Sequence, residues 1–558
     1  MKLGCHWLPS ARLLLLRSTQ LNTLALMLLL SATLSAPAAP KLPPSPVGDI
    51  FGMSEVPEIH VSVSPEQIDS LWKAPRTYVS VTVLIGTNRL EEVGLHLKGG
   101  YGSLSPLNQN PSLTLRFDRF HRHRLFQGLS KIHLNNSLQD GTWLSEFTST
   151  EVFRAAGVLS PKVDHAIVWL NERLLGIYVV KEGVDERFLE RELGESKGNI
   201  YQGDLGQDLN PRMHRTEGHE SDESLRSLVD TLAMKPGKEK ESRLERSMES
   251  FYPFAAAEIF VGHDDGYCLG SHNYRVYVGK DRFSFIPHGM DMTFGEPETP
   301  VMPTHGASVM RAMLESPRLR AAYRKRFRDF VHGSFPLDRI EDRIRAAAGR
   351  LEGAIGKTSP ERLEAFRTHR KQRLENLEMR LRSVRQQLPL SLPEVKPSRH
   401  ADQTIFEIRP EAWHPSIDFG KCELARAKDN SGVDVLTIAV GRAQMSNQAR
   451  WQTWIKPSRQ ARQLVVEVEE RSSSQEHQRT PPTVWIEAGA GTGQEIKLRT
   501  SVKPQILKTP LISTGNEQEI SIGYHGQIGQ AVFKVWIEGT EQRQSQDPRV
   551  DRTRIRLR

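Results

Sequence analysis

The chain has 558 residues, 38% of them hydrophobic and 25% charged, with a net charge of +8 and a pI near 9.3. That length is too great for one core, so two or three domains are expected, and the composition excludes both a membrane bundle and a disordered chain. The basic residues are spread out with no aromatic-interleaved stripe, so a solvated surface is expected and a nucleic-acid partner is not.

The N-terminus carries Lys2, Arg12 and Arg17, an apolar run from Leu21 to Leu34, and the small residues Ala36, Ala38 and Ala39 around prolines. This reads as a secretory signal over residues 1–38, which predicts export to the periplasm, envelope or medium and no membrane span after cleavage. Beyond it only Cys268 and Cys422 remain, in different predicted domains, so neither a disulfide framework nor a zinc site is expected.

Residues 39–57 are Pro-rich and read as a linker. Alternating runs follow, among them Val79, Val81, Val83 and Ile85, then Val93, Leu95 and Leu97, then Leu113, Leu115 and Phe117, which predict antiparallel sheet. Between the last two lies Lys98-Gly99-Gly100-Tyr101-Gly102-Ser103, where backbone amides can face a phosphate, although most such connections are only turns. A strand from Lys131 precedes a helix that opens at Asp140-Gly-Thr-Trp143, carries Glu146 and stops at Gly157. A second hairpin from His165 leads through Lys181-Glu182-Gly183-Val184-Asp185 into a polar helix, and residues 204–248 read as an exposed insertion.

The stretch from 249 to 295 carries the densest chemistry. Phe251, Phe254, Ala255, Ile259 and Phe260 recur at helical spacing, so a buried helix delivers the loop His263-Asp264-Asp265-Gly266-Tyr267. Tyr274, Val276 and Val278 then alternate, and Phe283 to Ile286 answers them across a tight turn. Asn273 opens this hairpin and Asp291 closes it, so both fall at one end, within reach of Asp264 and Asp265. Oxygen ligands gathered like this suit magnesium. The same aspartates also suit a helix-to-strand turn.

Helix, acidic loop, Asn, hairpin and Asp before Phe-Gly is the order of parts in protein kinases. The wording, Asp265-Gly-Tyr, His272-Asn-Tyr-Arg-Val-Tyr and Pro287-His-Gly-Met-Asp-Met-Thr-Phe-Gly, resembles the CotH kinase family of spore-coat-protein-H-like atypical kinases. The resemblance extends through Leu97 to Ser103, Phe126 to Asn136 and Leu175 to Leu189, and covers roughly residues 57–385. It implies an α+β, two-lobed protein-kinase-like domain over 58–388 with a helical C-lobe, binding ATP with Mg²⁺ or Mn²⁺. Asp265 would match the catalytic-loop Asp that takes a Ser or Thr proton from a protein substrate, and Asn273 and Asp291 the metal ligands. Gly99, Gly100, Ser103 and the hinge residue Glu182 would lie around the nucleotide. By topology Lys131 would be the phosphate-pairing lysine with Glu146 as its helix partner, and Lys98 competes for that role. A common family motif, Pro-Trp-Asp-x-Asp, has His288 and Gly289 at its second and third positions here, and Asn110 stands where members often carry Lys.

Residues 310–388 read as helical, with their many arginines on the wet face. A linker at 389–400 precedes eight runs of strand over 401–545, which predict an all-β sandwich or jelly roll, and 546–558 form a basic tail. Trp413, Trp451, Trp454 and Trp485 suit either its core or stacking on a cell-surface glycan. Two functions follow: an exported kinase, or a non-catalytic surface protein that binds a partner and glycans.

Overall fold

A computed structural model describes residues 50–100, 105–194, 197–203, 206–279, 282–303 and 305–390, and beyond these the segments 396–400, 403–407, 413–419, 422–428, 434–440, 447–455, 461–470, 483–488, 493–497, 505–511, 518–526 and 529–539. The signal, most of the first linker, Ser103 and the basic tail lie outside the described residues. Among the described residues no helix is long and apolar enough to cross a membrane.

Seven N-terminal strands close into a barrel: β1 (Glu58–Ser62), β2 (Val79–Ile85), β3 (Asn88–Lys98), β4 (Ser112–Arg116), β5 (Lys131–Asn135), β6 (Val163–Leu170) and β7 (Arg173–Glu182). Their order is β1-β2-β3-β4-β5-β7-β6, and the seam is a parallel pairing of β1 with β6, Ile59 opposite Val168. Alternation sorts each strand between two faces. Leu95, Leu97, Leu113, Leu115, Ile132, Leu134 and Val180 share a buried cluster with Val61 and Val168. The other face of β3, β5 and β7 carries Lys98, His133, Lys131 and Lys181. That polar face is the ceiling of the site.

The helical region is built on α5 (Lys238–Val261), whose Phe251, Phe254, Ile259 and Phe260 are buried as their spacing predicts. Around it stand α2 (Ser145–Ala155), α4 (Glu223–Ala233), α7 (Ser308–Glu315), α8 (Pro317–Asp329), α9 (Leu337–Thr358) and α10 (Leu363–Gln387), with two short helices, α3 (Glu186–Leu193) and α6 (Tyr267–Gly270). Two strand pairs, β8 (Asn199–Gln202) with β9 (His214–Glu217) and β10 (Tyr274–Val278) with β11 (Phe283–Pro287), make one sheet in the order β11-β10-β8-β9. Residues 204–248 are therefore not an exposed insertion. They supply β9, α4 and the start of α5, bury Leu225, Leu228, Leu244 and Met248, and place Asp208 to accept from the Ser308 backbone at 2.6 Å and Tyr267 Oη at 3.1 Å.

The wet-face reading of the arginines also needs correction. Arg380 of α10 is 3% exposed and donates to the carbonyls of Ile259 (2.8 Å), Phe260 (3.0 Å), Pro297 (2.8 Å) and Thr299 (2.5 Å). Five fixed donors let a guanidinium tie the end of α5 to the segment after Asp291, a task no ammonium performs.

Beyond residue 396 every described element is a strand. Two sheets form: one of seven strands, including Asp434–Val440 and Ala461–Glu470, and one of five, including Asn447–Ile455 and Gln518–Gly526. They share one core, with Leu436, Leu464 and Phe533 from the first and Trp451, Ile520 and Ile522 from the second. Trp413, Trp451 and Trp454 are buried, so none presents a ring for stacking, and Trp485 is half-buried against Gly523. Trp454 joins the core of the helical region, with the Arg324 guanidinium 4.5 Å from its ring. Cys268 and Cys422 are not joined to each other by a disulfide.

The two classes of arginine on α10 should separate in a denaturation series. Arg380→Leu strands four carbonyls and should cost about 3 kcal/mol or more. Arg382→Ala, on the exposed side of the same helix, should stay within about 0.5 kcal/mol of the parent, read from the urea midpoint.

Candidate functional site

The site is built where the polar face of the barrel meets the loops at one end of the β10–β11 hairpin. Lys181, fully buried on β7, makes an ion pair with Glu146 on α2, itself 2% exposed. Asn135 Nδ2 donates to the second Glu146 oxygen at 3.0 Å, and Lys98 donates to Asn135 Oδ1. Lys181 Nζ also lies 3.1 Å from His288 Nδ1. A continuous polar chain thus runs from the flank of the Gly-rich connection to the loop that carries Asp291.

Burial and nearby cations set the charge states. Burial raises the Glu146 pKa, but Lys181, Lys98 and the Asn135 hydrogen bond together outweigh it and the net shift is downward. Lys181 is lowered by burial, and Lys98 is pushed down to about 7 by burial and then by the Lys181 charge. Burial and the same cations hold His288 well below its ordinary value, so its Nδ1 accepts a hydrogen bond from the Lys181 ammonium. Arg275, also buried, adds a third cation to this region and is lowered to about 10 by desolvation. Glu146, Glu217, Asp185 and Asp291 offset part of this charge, and positive groups gathered out of water in this way are a setting for a polyanion.

These contacts correct the pairing expected for Glu146. Its partner is Lys181, and Lys131 is held 3.1 Å from Glu217 instead. The reason is strand geometry: Lys131 and Asn135 share a face of β5 but stand four residues, roughly 13 Å, apart. Only the Asn135 end lies over α2. Glu182 turns away from the site because it alternates with Lys181. Arg191 of α3 pairs with it, and the Lys162 amide donates to it at 3.0 Å. Lys98 does reach the network, through Asn135. Gly99 and Gly100 follow it with Gly99 at φ +121°, a conformation that favours glycine.

Across from the lysines, Asn273 Nδ2 donates to Asp265 Oδ2 at 2.7 Å and to its carbonyl at 3.0 Å, and His272 Nδ1 lies 3.0 Å from Asp265 Oδ1. It is Asp265, not Asp264, that Asn273 holds. The His288 amide donates to the Asn273 carbonyl at 3.0 Å, which brings the two ends of the hairpin together as its topology predicts. Asp291 is half-buried and pushed up to about 6, by burial first and then by the Glu146 charge. Gly289 has φ +58°, and a Cβ there would sit 2.7 Å from Asn273 Oδ1. Glycine is thus required on two counts, and its bareness keeps that oxygen uncovered.

These observations bear on whether magnesium suits the residues present. Among the described residues no cluster of three or more His, Cys, Asp or Glu is arranged to hold a metal. The uncovered Asn273 oxygen and a carboxylate short of a counter-charge are hard donors, and they match a cation that takes most of its ligands from phosphate and water. The residues fit.

One carboxylate organises the loop from beneath. Glu258, 1% exposed on α5, accepts from the Tyr267 amide at 3.1 Å and the Cys268 amide at 2.5 Å. Gly266 crosses so close that a Cβ would lie 2.5 Å from Glu258 Oε1. His263 donates from Nε2 to the Gly289 carbonyl at 3.0 Å, which links the same loop to the hairpin's far end. Its Nδ1, with no hydrogen-bond partner among the described residues, faces Glu258 Oε1 at 3.8 Å. Sequence reasoning missed Glu258, Lys181 and His288. The readable signal for Glu258 was a lone charge inside an apolar run, Ala-Ala-Ala-Glu258-Ile-Phe, whereas Lys181 closes such a run, Ile-Tyr-Val-Val-Lys181, with Glu182 beside it.

Residues 95–383, just over half of the chain, match the family model described as CotH kinase protein. The chain belongs to the CotH kinase family. It is 24% identical over 260 residues to the inner spore coat protein H of Bacillus subtilis (strain 168), a match that covers 42% of this chain and 70% of that protein. Among solved structures it is similar to the carbohydrate-binding module TmCBM61 (11% identity, 23% of this chain and 88% of that one, TM-score 0.18) and to the mannan-recognising module TmCBM27 (8% identity, 24% and 90%, TM-score 0.18). Likenesses this slight assign neither fold nor ligand.

Glu258 gives the site a pH signature. Burial pushes its pKa up from 4.5 to about 7, so between these values the folded protein holds a proton that the unfolded chain has lost. Stability should fall as pH rises through that window and level off above it, by up to about 3 kcal/mol from this group. Glu258→Gln keeps an acceptor for the loop amides and should flatten that part of the fall, measured by thermal melts from pH 4.5 to 8.

Proposed function

We propose that this chain is an exported CotH-type protein kinase, which transfers a phosphoryl group from ATP with Mg²⁺ or Mn²⁺ to a Ser or Thr hydroxyl of an envelope or coat protein. The observation that carries this reading is the buried Lys181–Glu146 pair set opposite Asp265, Asn273 and Asp291. The barrel and the helical region are read as the two lobes of a kinase-like fold, joined through Gly183 to Asp185. Lys181, fixed by Glu146 and His288, would grip phosphate oxygens, with Lys98 beside it at the Gly-rich connection. Asn273 and Asp291 would hold the metal, which when bound offsets charge on the phosphates. Asp265, steadied by Asn273 and His272 in the open mouth of the site, would orient the acceptor hydroxyl and take its proton. The coat association named for the Bacillus subtilis relative supports placing the substrate in an envelope or coat.

A second reading keeps the nucleotide site and drops the transfer. It is favoured by Gly289, which leaves the family's first motif carboxylate without a counterpart.

Thermal stability with and without nucleotide tests both. The parent should gain about 2.7 kcal/mol at ATP and Mg²⁺ concentrations near 100 times Kd. Lys181→Met and Asp291→Ala should lose that gain, the second without loss of ligand-free stability, and Lys131→Ala should keep it. Asp265→Asn should bind as the parent does but transfer no radiolabelled phosphate to itself or to a Ser/Thr-rich protein. A parent that shifts with ATP yet transfers nothing would establish the second reading. A parent that shows no shift sinks both.

A further inference from the structure

The two halves of the site are joined by a side chain that belongs to neither. Arg373, half-buried on α10, donates from Nη1 to the Thr293 carbonyl at 3.0 Å and from Nη2 to Ser145 Oγ at 2.6 Å. Thr293 stands two residues past Asp291. Ser145 opens α2 and immediately precedes Glu146. One planar fork therefore spans the metal-side loop and the helix that carries the lysine's partner, a geometry a lysine does not reproduce.

The neighbouring contacts act in the same sense. Ser149 of α2 and Thr293 share a hydroxyl contact at 2.9 Å. The Arg373 guanidinium lies 5.4 Å from the Phe294 ring, and Asn376, one turn further along α10, donates to the Phe294 carbonyl at 3.3 Å. Phe294 has φ +57°, a left-handed conformation that a bulky residue holds only where its surroundings over-determine it. Its amide is fixed to the Val261 carbonyl at 2.7 Å. Asp140 accepts from the Ser145 amide at 2.8 Å and offers Arg373 a counter-charge against the burial that lowers its pKa.

We propose that Arg373 is a positioning residue for metal binding: by holding Thr293 and Ser145 together it fixes Asp291 relative to Glu146, so the metal site depends on the closing helix of the domain. The inference rests on the nucleotide and metal reading of the site. Groups hydrogen-bonded directly to a metal ligand typically carry roughly 10–100-fold in metal affinity, and Arg373, acting through Thr293, is expected near the low end of that range.

The test titrates Mg²⁺, and separately Mn²⁺, against a fixed ATP concentration and reads the thermal midpoint of the full chain. The variants are Arg373→Ala, Arg373→Lys and Ser145→Ala, which removes one arm alone. Arg373→Ala should raise the metal concentration for half-maximal shift about tenfold or more, with the shift given by ATP in EDTA unchanged. Ser145→Ala and Arg373→Lys should fall between it and the parent. If Arg373→Ala does not fold, Ser145→Ala decides by the same readout. If the folded variants melt lower without ligand but keep the parent's metal dependence, Arg373 is only a brace and the inference is overturned while the site reading stands. A parent without any ATP and metal response removes both.

Discussion

Lys181 and Glu146 have both been taken out of water, and that choice constrains everything around them. Removing an ammonium and a carboxylate from water costs several kcal/mol for each ion, and their mutual attraction recovers the cost only when the remaining donors and acceptors are also met. The surroundings supply those partners. Asn135 donates to one Glu146 oxygen, His288 accepts from Lys181, and Lys98 completes the chain through Asn135. A buried pair of apolar residues would stabilise the fold as well or better. The ionic pair therefore adds little stability of its own, and around it stand Lys98, held down to about 7, and Arg275, partly offset by Glu217, Asp185 and Glu146.

The opposing side of the cleft is held by backbone contacts more than by side-chain pairs. Glu258 gathers the amides of Tyr267 and Cys268 from below, and Arg380 gathers carbonyls at the end of α5 and beyond Asp291. Both are buried ionisable groups whose partners are peptide groups. Peptide groups cannot be altered by substitution, so these two anchors do not depend on which side chains the loop carries, whereas the His263 contact to Gly289 does. Asp265, His272 and Asn273 hold one another above that anchored backbone.

Much of this was legible in the sequence because periodicity reports burial. The spacing of Phe251, Phe254, Ile259 and Phe260 located α5, alternation located the hairpin, and the hairpin's topology brought Asn273 beside His288 at one end. What stayed hidden depended on distances that no local pattern encodes. Lys131 and Lys181 lie on neighbouring strands and both face the site side, and only the register of β5 against β7, with His133 opposite Lys181, decides which of them meets Glu146. The closing of β1 on β6 was equally invisible, since a parallel seam between strands a hundred residues apart leaves no trace in either strand. Arg373 and Arg380 look like any other arginine on a charged helix. Their burial follows from where α10 packs, not from its composition.

The barrel seam has a consequence for how this molecule can move. An open sheet can shear, with one strand sliding while its neighbours stay, and a Gly-rich connection on such a sheet can flap by itself. A cylinder whose first and last strands are hydrogen-bonded to each other has no loose margin along which to distort. Lys98, Asn135 and Lys181 are therefore carried as a single rigid tool. Any movement of this polar face relative to the helices must involve the whole cylinder, and the chain leaves that cylinder at Gly183, where the Lys131 side chain already fills the space a Cβ would need.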